Sequence, residues 1–352
     1  MIIDKDIAEC YSEKRVNYYN YLKYDIDLIV VLVNWNIIKN GGKNMDLAII
    51  TATQVIELFI LILCGAVLYK TNVIKEEGKG ILSNLLIYLV IPAMIIDSYT
   101  ATFDYEKLTN LIKAFEYSAV LLAVGIGISL LVTVRTAKDV RGIIRMACSF
   151  SNAGYMGFPL IKALFGTEGL LYATAFLTLF NILIWTVGLG YVAGSQSPKE
   201  VAKTIFTSPA VLSVFVGLAI FIGRIPVPEF IKTPIAMVGD MNTPISMVIT
   251  GITIAGSNLK QLIKNKKLFF VITVRMFLIP IVGLLVMKLI NASGEVAMIT
   301  LILEACPTAA ITTMLAIKYN NNEELAAGSV VFTTLLSIIT LPVYAFILSS
   351  LF

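Results

Sequence analysis

The chain has 352 residues, 58% of them hydrophobic and only 14% charged, with a mean hydropathy of +0.86. A water-soluble domain carries about 25% charged residues, so too little polar surface is left to cover a soluble globule, and the surplus apolar residues must face lipid. The net charge of +4 is scattered without a basic stripe, which argues against nucleic-acid binding, and the lack of histidine removes the commonest general base and metal ligand.

Residues 1–44 stand apart from the rest. Ile2–Lys23 is charged and tyrosine-rich, and Asp27–Ile38 is an apolar run too short to span comfortably. The basic start, apolar centre and small-residue cleavage site of a signal peptide are missing. Gly41-Gly42-Lys43-Asn44-Met45 reads back to codons that place a purine-rich ribosome-binding site before a start codon. Met45 is therefore expected to be the start, with residues 1–44 a non-native or untranslated leader.

From Asp46 onward, ten apolar stretches follow, at about 47–69, 81–100, 111–134, 142–165, 170–194, 208–225, 231–256, 267–290, 295–318 and 324–351. Most reach the roughly 20 residues that a helix needs to cross the hydrocarbon core. They are solid apolar runs without the strand-like alternation of a β-barrel. The odd-numbered loops hold 14 Lys and Arg against 6 in the even ones, which makes the odd loops cytoplasmic and both ends, counted from Met45, extracytoplasmic.

Five spans per half make any internal repeat an inverted one. Residues 45–195 read as the first five-helix repeat, 196–207 as a cytoplasmic linker and 208–352 as the second repeat. The second span of each half is broken at proline, Pro92 and Pro244. The fourth spans break too, at Asn152-Ala153-Gly154-Tyr155-Met156-Gly157-Phe158-Pro159 and at Glu304-Ala305-Cys306-Pro307-Thr308.

These fourth-span breaks, in the fourth and ninth spans of the chain, carry the chemistry. Proline deletes a backbone donor and glycine loosens the turn, so each span should unwind at membrane depth. Bare peptide groups there must line a cavity or be buried in protein. Amides freed at a half-helix N-terminus favour an anion. Asn152, Gly154, Gly157 and Pro159 on one span, with Pro307, Thr308 and Thr312 on the other, form the candidate substrate site. Glu304 is the candidate for coupling to a proton or sodium ion, because a carboxyl inside a span faces a polar pathway or stays protonated. Arg275 either snorkels or pairs with an acid. Glycine packing and a simple proline kink are the bland readings of the same breaks.

Cys10, Cys64, Cys148 and Cys306 are far apart and read as packing residues. No metal site, cofactor, Walker motif or hydrolytic constellation is visible, so an enzyme or a self-contained ATP-driven pump is not expected.

The run Ser151-Asn152-Ala153-Gly154-Tyr155-Met156-Gly157-Phe158-Pro159-Leu160 resembles the N-x-G-[FY]-x-G-x-P signature of the auxin efflux carrier family. So do Ala305-Cys306-Pro307-Thr308-Ala309, Ala316 to Asn320, and Thr333 to Pro342. The similarity spans residues 46–352. It implies an all-α integral membrane fold of ten helices in two inverted five-helix repeats, with broken helices 4 and 9 crossing at their prolines. That arrangement resembles sodium/proton antiporters and bile-acid transporters. It also implies an elevator-type carrier in the cytoplasmic membrane for a small organic anion, either an auxin-like monocarboxylate or a malate- or malonate-like dicarboxylate. By motif position, the asparagine that contacts the substrate carboxylate in plant members falls on Asn152. The sequence lacks the long loop between halves of plant members and has Ile311 and Thr312 where relatives often carry asparagine. A sodium/proton antiporter is the alternative, and a homodimer is left open.

Overall fold

The computed structural model describes residues 43–352 apart from 195, 196, 198, 200–202, 204, 205, 258–261 and 263. The suspected leader therefore lies, except for its last two residues, outside the described residues. The described residues are helical, with a single isolated antiparallel bridge between Ser151 and Thr308.

The helices are α1 Lys43–Lys70, α2 Glu76–Leu85, α3 Ile91–Tyr99, α4 Tyr105–Val132, α5 Lys138–Ser149, α6 Phe158–Leu183 and α7 Leu189–Ala193. They continue as α8 Pro209–Ile222, α9 Glu229–Asp240, α10 Asn242–Gly256, α11 Lys266–Thr273, α12 Ile279–Leu289, α13 Gly294–Ala305, α14 Ile311–Lys318 and α15 Glu323–Leu351. Among them, seven continuous helical runs are long and apolar enough to cross a membrane. α8, with 14 residues, is apolar but shorter. α5, α13 and α14 have only 12, 12 and 8 residues, below the length of the seven. The run Ala153–Ala193 counts as one stretch of 41 residues. It is interrupted at Gly166, whose φ of 66° lies where glycine is favoured.

α1 shows how the pattern meets lipid. Ile56, Ile60, Leu63 and Val67 follow one another at helical spacing and are all more than half exposed, while Val55, Leu58 and Ile62 on the other face are buried. An exposed aliphatic stripe of this length would be a liability in water and is the surface that acyl chains require.

Proline shapes the bends. Pro92, Pro159 and Pro280 each sit at the second residue of a helix that follows a five-residue π turn, at Leu86–Val90, Ala153–Gly157 and Val274–Leu278. The wider turn accommodates the carbonyl that a proline ring displaces. At Pro244 the bend falls slightly earlier than the sequence predicts: α9 ends at Asp240 and α10 begins at Asn242, with Met241 between them.

Close packing rests on backbone contact. A Cβ on Gly65 would stand 2.3 Å from the Val248 carbonyl oxygen, and one on Gly251 would stand 2.0 Å from that of Ile62. α1 and α10 therefore touch main chain to main chain at two places, the small-residue approach typical of helices in a bilayer. Elsewhere α3 packs on α8 and α9, and α4 on α6.

Candidate functional site

α5 and α13 each stop abruptly. Phe150 after α5 is extended (φ −118°, ψ 118°), and Cys306 after α13 turns away (φ −59°, ψ 154°). The two unwound stretches lie antiparallel. Asn152 N–H donates to the Pro307 carbonyl at 2.7 Å, and Ala309 N–H donates to the Phe150 carbonyl at 2.9 Å. Pro307 cannot donate, but its carbonyl is free to accept, so each break supplies what the other lacks. The Thr308 hydroxyl donates to the Ala147 carbonyl at 3.0 Å, and Thr308 N–H donates to Thr333 Oγ1 at 3.0 Å. Peptide groups that lipid would leave bare are thereby satisfied within the protein.

A cavity of about 260 Å³ opens beside this crossing. Asn152, Gly154 and Ser151 line it from one break, and Ala309, Ala310 and Ile311 from the other. Its walls carry Tyr88, Tyr155, Phe180, Asn181 and Trp185, and no acidic or basic side chain lines it among the described residues. Asn152 is buried and begins the π turn without capping it through its side chain. Two carbonyls of that turn, Gly154 and Tyr155, accept from the Asn242 side-chain amide (3.2 Å) and the Ser246 hydroxyl (3.1 Å). The amides that open each helix after its break sit at the positive end of its dipole, although those of Thr312 and Thr313 already donate to the Ala309 and Ala310 carbonyls at 3.0 and 3.2 Å.

The other predicted residues fall around the cavity without lining it. A Cβ on Gly157 would stand 2.6 Å from Leu303 Cδ2 and 3.3 Å from Cys306 Sγ, so this glycine lets the two breaks approach. Pro159 lines a separate cavity of about 150 Å³ together with Lys162, Asp240 and Asn242, where Lys162 and Asp240 form an ion pair. Pro307 and Thr308 are used in the crossing itself. Thr312 is fully buried, and its hydroxyl has no partner among the described residues. Pro92 and Pro244 act at a distance, the first by bending the helix that brings Tyr88 and Ile91 to the cavity wall.

Glu304 lies behind the crossing. It is fully buried and pairs with the equally buried Arg275, whose Nη1 donates to Glu304 Oε1 at 3.0 Å. Of the two sequence readings of Arg275, pairing with an acid is the one seen. Asn181, Phe180 and Trp185 escaped the sequence reading. Asn181, a lone amide within a long apolar run, was the available signal; the aromatic residues look the same whether they face lipid, core or cavity.

A chain with this lipid-facing surface and these helices is a multi-pass integral membrane protein. It belongs to the membrane transport protein family, that of the auxin efflux carriers, whose family model matches residues 50–345. It is 25% identical over 307 residues to an uncharacterized transporter of Methanocaldococcus jannaschii, covering 84% of this chain and 97% of that one. It is 23% identical over 308 residues to a Rhizobium meliloti protein whose name proposes it as a malonate transporter, covering 84% and 95%. Its identity to PIN-LIKES 1 of Arabidopsis thaliana is 22% over 352 residues, covering 80% and 74%.

Proposed function

We propose that this protein is a secondary active transporter that moves a small organic anion across the cytoplasmic membrane by alternating access. In this reading it has ten spans in two inverted five-helix repeats, and its substrate site lies at the crossing of spans four and nine. One observation carries it: a cavity at the crossing that receives the starts of two half-helices yet has no charged side chain in its described lining. Helix N-termini and an asparagine amide stabilise negative charge without bringing a fixed charge of their own. A sodium or proton site would instead call for carboxylates, and the described lining has none, so the antiporter alternative is not favoured. Neutral donors suit one carboxylate better than two, and the aromatic walls suit an apolar body. The lining thus favours a monocarboxylate over a fully ionised dicarboxylate, although the named malonate relative keeps the latter in the panel.

Purified protein in proteoliposomes, tested with labelled indole-3-acetate, phenylacetate, malonate, malate and sodium, should take up at least one carboxylate. Sodium/proton exchange without carboxylate uptake would reject the reading. The Lys and Arg asymmetry further predicts that a cysteine placed at Lys264 is labelled from the cytoplasmic side only and one appended after Phe352 from outside only. Labelling of the appended cysteine from inside alone would overturn the orientation, and labelling of both cysteines from the same side would overturn the inverted arrangement.

A further inference from the structure

Arg275 is the largest fully buried side chain in the described structure. It leaves the π turn Val274–Leu278 and sends its donors into the back of the crossing. Nη1 donates to the Cys148 carbonyl at 2.9 Å; Nε and Nη2 donate to the Cys306 carbonyl at 3.2 and 3.1 Å; Nη2 also donates to the Glu304 carbonyl. Cys148 lies in the last turn of α5, and Glu304 and Cys306 lie at the end of α13. One guanidinium thus holds the last carbonyls of both incoming half-helices, where two negative dipole ends meet and no intrahelical donor remains. A planar fork of five donors can do this, and a point charge cannot. Glu304 Oε1 balances the cation, while Glu304 Oε2 has no partner among the described residues. Gly125 leaves room for that carboxylate, since a Cβ there would stand 3.1 Å from Oε1.

We infer that Arg275 is a positioning residue for the anion site, tying the ends of α5 and α13 together so that the amides beyond each break stay aimed at the cavity, and that Glu304 is its counter-charge. This rests on the transporter reading above for the identity of the ligand, but not for the clamp itself. A positioning residue differs from a mere stabiliser in that a folded protein without it should still lose affinity.

The test compares Arg275→Met, Arg275→Met with Glu304→Gln, and Arg275→Lys. Each is scored for monodisperse protein in detergent and for equilibrium binding of whichever labelled probe, phenylacetate or malonate, the wild type binds. Arg275→Met alone strands a buried carboxylate and should yield little folded protein. The double variant removes both charges and should recover folding, because a buried pair replaced by neutral groups is commonly tolerated. It should still bind about tenfold more weakly or worse, because the carbonyl ends are no longer tied. Arg275→Lys keeps the ion pair but loses the fork, and should fold while binding roughly tenfold more weakly. A double variant recovered no better than Arg275→Met would overturn the counter-charge, and wild-type affinity in the folded double variant or in Arg275→Lys would overturn the clamp. If the wild type binds neither probe, the transporter reading is what fails. The recovery comparison still decides the counter-charge, and a wild-type melting temperature in Arg275→Lys would overturn the tie between α5 and α13.

Discussion

Asn152→Ala should bind the substrate anion about tenfold to a hundredfold more weakly while inserting and folding as the wild type does. The backbone bond from Asn152 N–H to Pro307 survives the change, so the crossing keeps its main-chain geometry. What is lost is one neutral side-chain donor at the cavity wall, and a hydrogen bond to a charged group is worth roughly 1.5–3 kcal/mol, which converts to that range of affinity. Asn152→Asp should be worse, since it sets a like charge beside the carboxylate in a cavity with no described cation to offset it. Binding measured in detergent, with size-exclusion profiles as the control for folding, decides the matter. Wild-type affinity in a well-folded Asn152→Ala protein would reduce the fourth-span break to a kink.

The second large effect is on assembly. Gly251→Val should abolish recovery of folded protein, whereas Gly127→Ala, a position with nothing within 4 Å of an added Cβ, should leave recovery unchanged. At Gly251 the first obstacle is the Ile62 carbonyl oxygen at 2.0 Å, with the Ala66 nitrogen at 2.8 Å. These are backbone atoms that no rotamer change can move, so α1 and α10 must separate and give up contact along their length. The cost should exceed the ~1–3 kcal/mol usual for overpacking a core. Thermal melting in detergent and the yield of monodisperse protein are the readouts, and a Gly251→Val protein that melts as the wild type would show that the two helices do not touch there.

Much of this was legible in the sequence because the membrane imposes a coarse grammar. Apolar runs of spanning length, prolines inside them and an asparagine among glycines can all be read without a fold. Asn152 and Gly154, which stand beside the break, line the cavity. The remaining site residues show where that grammar stops. Thr308 and Thr312 carry hydroxyls beside a proline, but a broken helix does not set them on one face. Thr308 is taken up by Ala147 and Thr333, and Thr312 turns into the protein. Trp185 and Phe180 could not be picked out, because an aromatic ring in an apolar run satisfies lipid, core and ligand alike. The partner of Glu304 lies 29 residues away on another helix, and only tertiary packing selects Arg275 from the other cations.

The Ser151–Thr308 bridge is closed by backbone groups of Phe150, Asn152, Pro307 and Ala309. What meets at the centre of the molecule is mainly peptide, and peptide is the one component that every residue type supplies. Side chains at 150, 151 and 309 can therefore drift through mutation without breaking the join, provided the local backbone angles and the available volume are kept. A gene encoding such a protein can revise residues of the cavity wall such as Ser151 and Ala309 while the main-chain join between the two breaks is kept.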